Sequence, residues 1–311
     1  MFAYVVRKLL NTIPTLLGVW IVIFVLFNVI GGDPTYIMLG KHATPELIAD
    51  VRAEYGYDQP MLKQFFRYLG ETVTFNWGDS RATRQPIATM IHDGLGPSLT
   101  LTVPAFLVTT VFSVLMGLLV AYFRGRWIDR IVVIGCVIGM SVPMLAFILF
   151  GQYFLAYKMG LFPIHGFDPA WPERFHHILL PALIWVVVSL GYNVRFYRTA
   201  LVEEVGQDYI RTARAKGLGE LPVFLKHVLK NGMVPILTNI VIEIPMLVLG
   251  SFLLESFFGI PGIGGITIAA INNSDFPVIR AMTTLVAMLF IAGNLATDIL
   301  YTLVDPRVRL K

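Results

Sequence analysis

The run SLTLTVPAFLVTTVFSVLMGLLVAYF, at residues 98–123, decides the fold class of this chain because none of its residues is charged. A helix needs about 20 mostly apolar residues to cross the hydrocarbon core of a bilayer, and this run is long enough. Further apolar runs of spanning length occur at about residues 9–30, 131–157, 178–198, 235–256 and 279–303. The sequence therefore predicts an all-α integral membrane protein with six transmembrane helices.

The composition of the 311 residues agrees with a lipid environment. Hydrophobic residues make up 56% and charged residues 14%, whereas about a quarter of the residues in an average soluble domain are charged. So few charges cannot cover a globule in water, which argues against a soluble enzyme. The net charge of +4 does not indicate nucleic-acid binding, because the cations sit in short segments between the apolar runs.

The distribution of Lys and Arg predicts the orientation of the chain. Most of the 24 cations fall in the N-terminal stub, the loop at 124–130, the loop at 199–234 and the C-terminal tail. Cytoplasmic loops carry the excess of Lys and Arg, so we expect both termini in the cytoplasm. The first apolar run could be a signal peptide. It is long enough to span, however, and no small-residue cleavage pattern follows, so we expect a retained stub and first helix at 1–30.

Residues 31–97 form the longest connection between apolar runs and are predicted to be a small extracytoplasmic subdomain. Two stretches have helical character, at 45–55 and 60–73, and a turn cluster follows at 76–80. That is more pattern than a flexible linker carries. Residues 98–311 are predicted to form the transmembrane core.

The cytoplasmic loop at 199–234 is much longer than a hairpin between two helices needs. Its apolar residues recur at helical spacing over 201–216, Gly217 then breaks the pattern, and a second short helix is predicted from Leu221-Pro222 to about Asn231. Two short helices joined at a glycine would make a rigid knob that a partner protein could hold. The pattern alone leaves a solvated amphipathic loop equally open.

The stretch DYIRTARAKGL at 208–218 resembles the EAA-loop signature of ABC-importer permeases, and in particular the dipeptide, oligopeptide and nickel branch, the DppB/OppB-like permeases. Other segments match that branch in order along the chain: RKL at 7–9, GDP at 32–34, YGYDQP at 55–60, WGDS at 77–80, ESFFGIPGIG at 255–264, DFP at 275–277 and DPRVR at 305–309. The general signature begins with Glu-Ala-Ala, where this chain has Arg211-Thr212-Ala213, so no Glu is carried over.

The resemblance implies half of a translocation pathway for di- or oligopeptides in the bacterial inner membrane. It implies a second similar permease, two cytoplasmic ATPase subunits and an extracytoplasmic solute-binding protein as partners. No Gly-x-x-x-x-Gly-Lys-Ser/Thr loop occurs in the sequence, so ATP and Mg would bind the partner subunits, and no cofactor or catalytic residue is expected here. The resemblance places ATPase coupling at Asp208, Tyr209, Arg211, Thr212, Ala213, Arg214, Ala215, Lys216 and Gly217.

Ionisable or irregular positions inside the spans are candidates for the pathway. They are Met140, Ser141 and Met144 around Pro143, and Asn239, Glu243 and Met246 in the fifth span. Glu243 could meet a cationic group of the solute, or it could be a structural partner of Asn239. Asp298, near the end of the sixth span, could simply reach the interface.

The glycine-rich stretch before the last helix is predicted to be a re-entrant turn or outer gate rather than a phosphate loop, because it lies on the outer side. Its candidate residues are Glu255, Pro261, Gly262 and Gly264. A metal site at His165, His176, His177 and Asp168 is not expected, since their spacing matches no standard set of ligands.

Two other function classes remain open on the sequence. An ion-coupled transporter or channel would work without ATPases, but only Glu243 favours it and the long 199–234 loop would have no purpose. An intramembrane enzyme would need paired carboxylates or a similar constellation, and the sequence suggests none.

Overall fold

The computed structural model describes residues 2–30, 34–39 and 44–304, and this part of the chain is helical apart from its turns and loops. The helices of the first half are α1 (Phe2–Val25), α2 (Pro34–Leu39), α3 (Pro45–Tyr55), α4 (Met61–Val73), α5 (Ile87–Tyr122), α6 (Trp127–Ser141) and α7 (Met144–Phe150). Those of the second half are α8 (Glu173–Val205), α9 (Asp208–Ala215), α10 (Glu220–Val223), α11 (Leu229–Leu249), α12 (Phe252–Phe258), α13 (Ile263–Asn272) and α14 (Phe276–Val304). Wide π-type turns continue α1, α7 and α10, at Leu26–Ile30, Gly151–Lys158 and Phe224–Val228.

Within the described residues, five helical stretches are long and apolar enough to cross a membrane, or six if a bent pair counts as one span. The five are Arg7–Ile30, Ile87–Tyr122, Glu173–Val205, Glu220–Phe258 and Phe276–Thr297. The predicted all-α membrane class is therefore confirmed. The side of the membrane on which each end lies stays a prediction.

The third predicted span contains the bent pair. Its two parts, Trp127–Ser141 and Met144–Lys158, meet at an angle of 90°. Val142 and Pro143 between them are both extended, with ψ of 125° and 143°. A residue before proline avoids the α conformation because of the proline ring, which accounts for a break at this point. The predicted interruption around Pro143 is confirmed.

The helix that contains the second predicted span is longer than the apolar run at 98–123, since α5 begins at Ile87. Gly94, Gly96 and Pro97 lie within this helix. Gly94 is needed for packing, because a Cβ there would lie 2.7 Å from the Ile266 side chain. The glycine marks a close approach of two helices rather than a helix end.

The predicted helices of the 199–234 loop are also revised. The helix predicted at 201–216 is interrupted at Gly206 and Gln207, where Gln207 is extended (ψ 150°) and precedes α9. No short helix ends near Asn231, because α10, its π-turn and α11 follow one another without a break from Glu220 to Leu249. The fifth span therefore continues directly out of the loop.

The described residues form two compact units, one from residues up to 98 together with those from 261 onward, the other from residues 99–260. The first unit has two apolar clusters, one around Trp20, Phe24 and Tyr68 and one around Ile87, Ile263 and Met282. The second unit also has two apolar clusters. One contains the buried residues Tyr197, Leu201, Ile210, Val228 and Ile236. The other contains Leu101, Ile148, Leu180, Leu254 and Phe258.

Some predicted features cannot be compared with the structure, because they fall on residues or side chains that it does not describe. Gly32-Asp33 of the first outer motif and the DPRVR motif at 305–309 lie outside the described residues. The side chain of Asp298 is likewise not described.

Candidate functional site

Helix α9 has one buried and one exposed face. Ile210 and Ala213 are 0% and 6% exposed and pack in the cluster around Tyr197 and Leu201. The other eight residues predicted to couple to an ATPase are exposed: Asp208, Tyr209, Arg211, Thr212, Arg214, Ala215, Lys216 and Gly217. Ala213, the ninth of the predicted coupling residues, is buried and helps to anchor α9.

The turn after α9 is fixed by an ion pair and a glycine. The Arg214 guanidinium donates two hydrogen bonds to the Glu220 carboxylate, of 2.8 and 3.0 Å, from one side of Gly217 to the other. Gly217 has φ +84°, a conformation that costs a side-chain-bearing residue energy. The Arg214 and Glu220 side chains are 37% and 51% exposed, so the pair contributes at most about 1 kcal/mol and acts mainly by fixing geometry.

A further hydrogen bond closes the other end of α9. The Tyr209 hydroxyl donates to the carboxylate of Glu204, which lies on α8 before the break at Gly206 and Gln207. Partial burial, together with the bond to Glu204, raises the pKa of Tyr209 to about 12, so the hydroxyl stays a donor at physiological pH. Both ends of α9 are therefore tied to the elements beside it.

An exposed surface continues from α9 onto the start of the fifth span. Leu218, Leu221 and Leu225 are 39%, 60% and 50% exposed. Lys226 and Lys230 are exposed on the same stretch. Apolar side chains beside cations occur both on surfaces that another protein covers and where a span meets the membrane interface.

Below this loop, Asp129 and Arg198 form a bidentate ion pair that sequence analysis missed. The guanidinium donates to both carboxylate oxygens at 2.6 and 2.8 Å, and the Gly125 N–H donates to the same carboxylate at 2.8 Å. The Asp129 side chain is only 6% exposed. The pair joins α6 to α8 seven residues before α8 ends at Val205. The sequence signal that could have indicated this pair is Asp129 itself, an acidic residue in the first turn of an apolar helix.

The predicted pathway residues of the fifth span come together. The Asn239 amide donates to the Glu243 carboxylate at 2.9 Å and lies 3.5 Å from the Tyr197 hydroxyl on α8. Met246, one turn further on, is 38% exposed. Both open alternatives for Glu243 survive: it has Asn239 as a structural partner, and it remains only half-buried.

The predicted pathway residues of the third span lie at its bend. Met140 is 42% exposed, and the Ser141 hydroxyl donates to the Val137 carbonyl of its own helix at 2.8 Å. Met144 packs against the cluster around Leu101 and Ile148. Their role in a pathway stays a prediction.

The residues predicted to form an outer gate divide between the two units. Glu255 is 0% exposed and accepts from the Ser251 N–H at 3.2 Å, so it caps the start of α12. In the other unit Pro261 is exposed, and Gly262 and Gly264 are buried where α13 begins. The glycine-rich stretch thus leads into a short apolar helix, and its role as a gate stays a prediction.

The histidines of the outer loop bond to backbone carbonyls. Nε2 of His176 lies 3.1 Å from the Leu161 oxygen, and Nδ1 of His177 lies 3.0 Å from the Gly166 oxygen. Among the described residues, no three His, Cys, Asp or Glu side chains are grouped so that they could hold a metal ion.

Two outer motifs, WGDS and DFP, meet at a buried carboxylate. Asp275 is 2% exposed and accepts hydrogen bonds from the Ser80 hydroxyl at 2.5 Å and from the N–H groups of Arg81 and Ala82 at 3.2 and 3.1 Å. The Thr83 N–H in turn donates to the Ser80 hydroxyl at 3.0 Å. The turn after WGDS is therefore held by hydrogen bonds to Asp275, the residue that precedes α14.

Two family profiles match the chain. The profile described as Binding-protein-dependent transport system inner membrane component matches residues 113–310. The profile described as Binding-prot-dependent transport system membrane comp, N-term matches residues 1–102. Together they account for nearly the whole sequence.

Curated proteins similar to this chain include the Glutathione transport system permease protein GsiC of Shigella flexneri serotype 5b, of Salmonella paratyphi A and of Escherichia coli K12. Each is 34% identical over 311 residues, which is 100% of this chain and 100% of the relative. The similarity therefore extends over both compact units.

Proposed function

The chain belongs to the family of binding-protein-dependent transport system inner membrane components, and on this premise we propose that it forms one half of a solute pathway completed by a second, similar permease. It is a multi-pass permease subunit of an ABC importer of the bacterial inner membrane. Two cytoplasmic ATPase subunits and an extracytoplasmic solute-binding protein complete the proposed assembly. The ATP and Mg would bind the ATPase subunits.

The 199–234 loop is the proposed point of contact with an ATPase subunit. One observation carries this proposal: α9 buries Ile210 in the helix bundle and turns its charged face outward, with the Arg214–Glu220 pair fixing the turn. A helix that is anchored on one side transmits a push as a rigid body, whereas a solvated loop would absorb it.

The mechanism follows from that rigidity. Closure of the ATPase subunits on ATP moves α9, and the bundle rocks from an inward-facing to an outward-facing arrangement. The binding protein docks on the outer surface, including residues 31–97, and releases its solute into the cavity. Hydrolysis returns the subunits to the first arrangement. Because a ligand shifts an equilibrium only through its differential affinity, ATP must bind the closed ATPase pair more tightly.

The proposed solute is a short peptide, with a glutathione-type peptide as the first candidate. The relatives are named as glutathione transport permeases, and the chain resembles the dipeptide and oligopeptide branch. The proposed pathway residues are Asn239, Glu243 and Met246 on the fifth span, and Met140, Ser141 and Met144 at the bend of the third. Glu255, Pro261, Gly262 and Gly264 are the proposed outer gate.

Co-purification tests this assembly. A tagged chain isolated from its own membrane is expected to retain a second permease and ATPase subunits. Arg211→Glu, on the exposed face of α9, should reduce recovery of the ATPase, whereas Arg130→Glu, an exposed cation in another predicted cytoplasmic segment, should not. A chain that purifies alone and transports without ATP would instead support an ion-coupled transporter or channel.

A further inference from the structure

A polar cavity of about 260 Å³ lies in the unit that contains residues 31–97. Its walls come from α3, α4, the turn at 77–84 and the start of α14. The charged groups that line it are Glu54, Arg67, Glu71, Asp79, Arg84 and Arg280. Three are acidic and three are guanidinium groups, so their formal charges sum to zero.

Two of the lining charges form an ion pair with each other. The Arg280 guanidinium donates to the Glu71 carboxylate at 2.8 Å, and the side chains are 17% and 27% exposed. Arg280 also lies over the Tyr68 ring, 5.5 Å from its centre. These two charges are already neutralised by each other, so they shape the cavity rather than compete for a ligand.

One wall of the cavity is held rigid by Arg67. Its guanidinium donates to the Tyr55 carbonyl at 3.1 Å and to the Gln59 side chain at 3.2 Å. The guanidinium packs directly on Gly56, where a Cβ would lie only 1.9 Å from it. Gly56 has φ +66°, a conformation that costs a side-chain-bearing residue energy, so the backbone favours glycine here.

Three other lining charges remain uncommitted. Among the residues that the structure describes, the exposed side chains of Arg84, Glu54 and Asp79 have neither an ion pair nor a hydrogen bond. Arg84 has φ +59°, a conformation that costs a non-glycine residue energy and persists only where the surroundings impose it. The surroundings here are the turn whose Ser80 is bonded to the buried Asp275.

We propose that this cavity binds a small zwitterion, the free α-ammonium and α-carboxylate of a dipeptide-sized solute. The carboxylate would bind the Arg84 guanidinium, and the ammonium would bind the carboxylates of Glu54 and Asp79, which line the same cavity. Within the described part of the chain, the lining charges that have no partner are the carboxylates of Glu54 and Asp79 and the guanidinium of Arg84, so a ligand that carries both signs is the complementary one. The volume falls just below the range of about 300–1,000 Å³ for drug-sized ligands, which favours a small solute.

This inference deepens the proposed function, since it takes the solute to be a short peptide that reaches the predicted extracytoplasmic side. It adds a binding site on the permease itself, walled by residues 54–84 and by the start of α14. Such a site would hold solute on the predicted extracytoplasmic side after release from the binding protein.

Glycylglycine binding to the assembled complex in lipid nanodiscs, without the binding protein, tests the inference. Trp77 lines the cavity and its fluorescence reports occupancy, with Trp77→Phe to assign the signal. We expect saturable binding, and binding at least about tenfold weaker for N-acetylglycylglycine and for glycylglycinamide, because each lacks one charged hydrogen-bonding group.

Matched variants locate the site. Arg84→Gln and Glu54→Gln should each weaken glycylglycine binding about tenfold, since each removes one charge-assisted contact. Lys63→Gln and Glu46→Gln should not, because both side chains are exposed on the same helices, α4 and α3, outside the cavity. All four changes are at exposed side chains, and recovery of intact complex checks that each variant is assembled.

Several results would overturn the inference: no saturable binding, equal binding of the blocked peptides, or unchanged binding by both Arg84→Gln and Glu54→Gln. ATP-driven uptake by the same complex is measured separately. Uptake without glycylglycine binding to the nanodisc complex would contradict the cavity site but not the importer function. Binding without any ATP-driven uptake would contradict the proposed function but not the cavity site.

Discussion

The Ser80 hydroxyl donates a hydrogen bond of 2.5 Å to the carboxylate of Asp275, 195 residues further along the chain. The bond connects the turn that follows the WGDS motif to the residue just before α14. Both side chains are buried, with 1% and 2% exposure. A movement of the start of α14 is therefore expected to carry this turn with it.

Asp275→Asn tests that connection. The amide replaces one of two accepting oxygens with a donor, which then faces hydroxyl and N–H donors in a buried site. A buried group left unsatisfied costs about 1–3 kcal/mol, so we expect a lower temperature of thermal unfolding for the purified complex. Asp58→Asn, an exposed acid of the same segment, is the control. Equal unfolding temperatures for the two variants would show that the connection is dispensable.

Gly217→Ala tests whether the turn after α9 must keep its shape. Gly217 has φ +84°, and alanine in the left-handed region costs about 1 kcal/mol, enough to change a two-state population about fivefold. We expect less transport per ATP hydrolysed, measured as the ratio of solute uptake to phosphate release. Gly219→Ala is a matched control, since Gly219 has φ −66° and an added Cβ would meet Pro222 only at 3.8 Å. If both variants keep the wild-type ratio, the turn geometry does not contribute to coupling.

Arg198→Gln tests the ion pair beneath the loop. The change leaves the Asp129 carboxylate, with 6% side-chain exposure, without its cation. Removing one member of a buried pair costs about 3 kcal/mol, so we expect a clear loss of thermal stability and of assembled complex. Arg195→Gln, an exposed arginine on the same helix, should leave both unchanged. Similar stability of the two variants would show that the Asp129–Arg198 pair contributes no more than an exposed ion pair does.

Glu243→Gln separates the two readings of the carboxylate in the fifth span. Glutamine keeps an oxygen that can accept the hydrogen bond from Asn239, now 2.9 Å, but removes the charge. A structural role therefore predicts normal uptake, whereas a role in meeting a cationic group of the solute predicts reduced uptake with normal assembly. We expect reduced uptake, measured with labelled peptide in proteoliposomes. Unchanged uptake would contradict the pathway role.

Much of the fold could be predicted because each span is long, apolar and nearly free of charge. The bend at Pro143 was also predictable, since proline acts locally on the residue before it. The early start of α5 was not, because Gly94, Gly96 and Pro97 are poor helix formers and the uninterrupted apolar run begins only at residue 98.

The candidate site was predictable in part for a similar reason. The spacing of apolar residues indicated a helix around Ile210 but did not show that Ala213 would be buried with it. The break at Gly206 depends on one extended residue, Gln207, which carries no strong local signal. Contacts such as Asp129–Arg198 and Ser80–Asp275 join residues far apart in sequence, and no local pattern of a single chain reveals such partners.

Uptake of labelled glutathione into proteoliposomes, with the binding protein on one side and the ATPases on the other, tests the central claim most directly. The account predicts accumulation only when hydrolysable ATP is supplied on the ATPase side, and no effect of ionophores that collapse ion gradients. Accumulation by this chain without its ATPase partners, or accumulation that ionophores abolish, would contradict the claim that it is the ATP-coupled half of an import pathway.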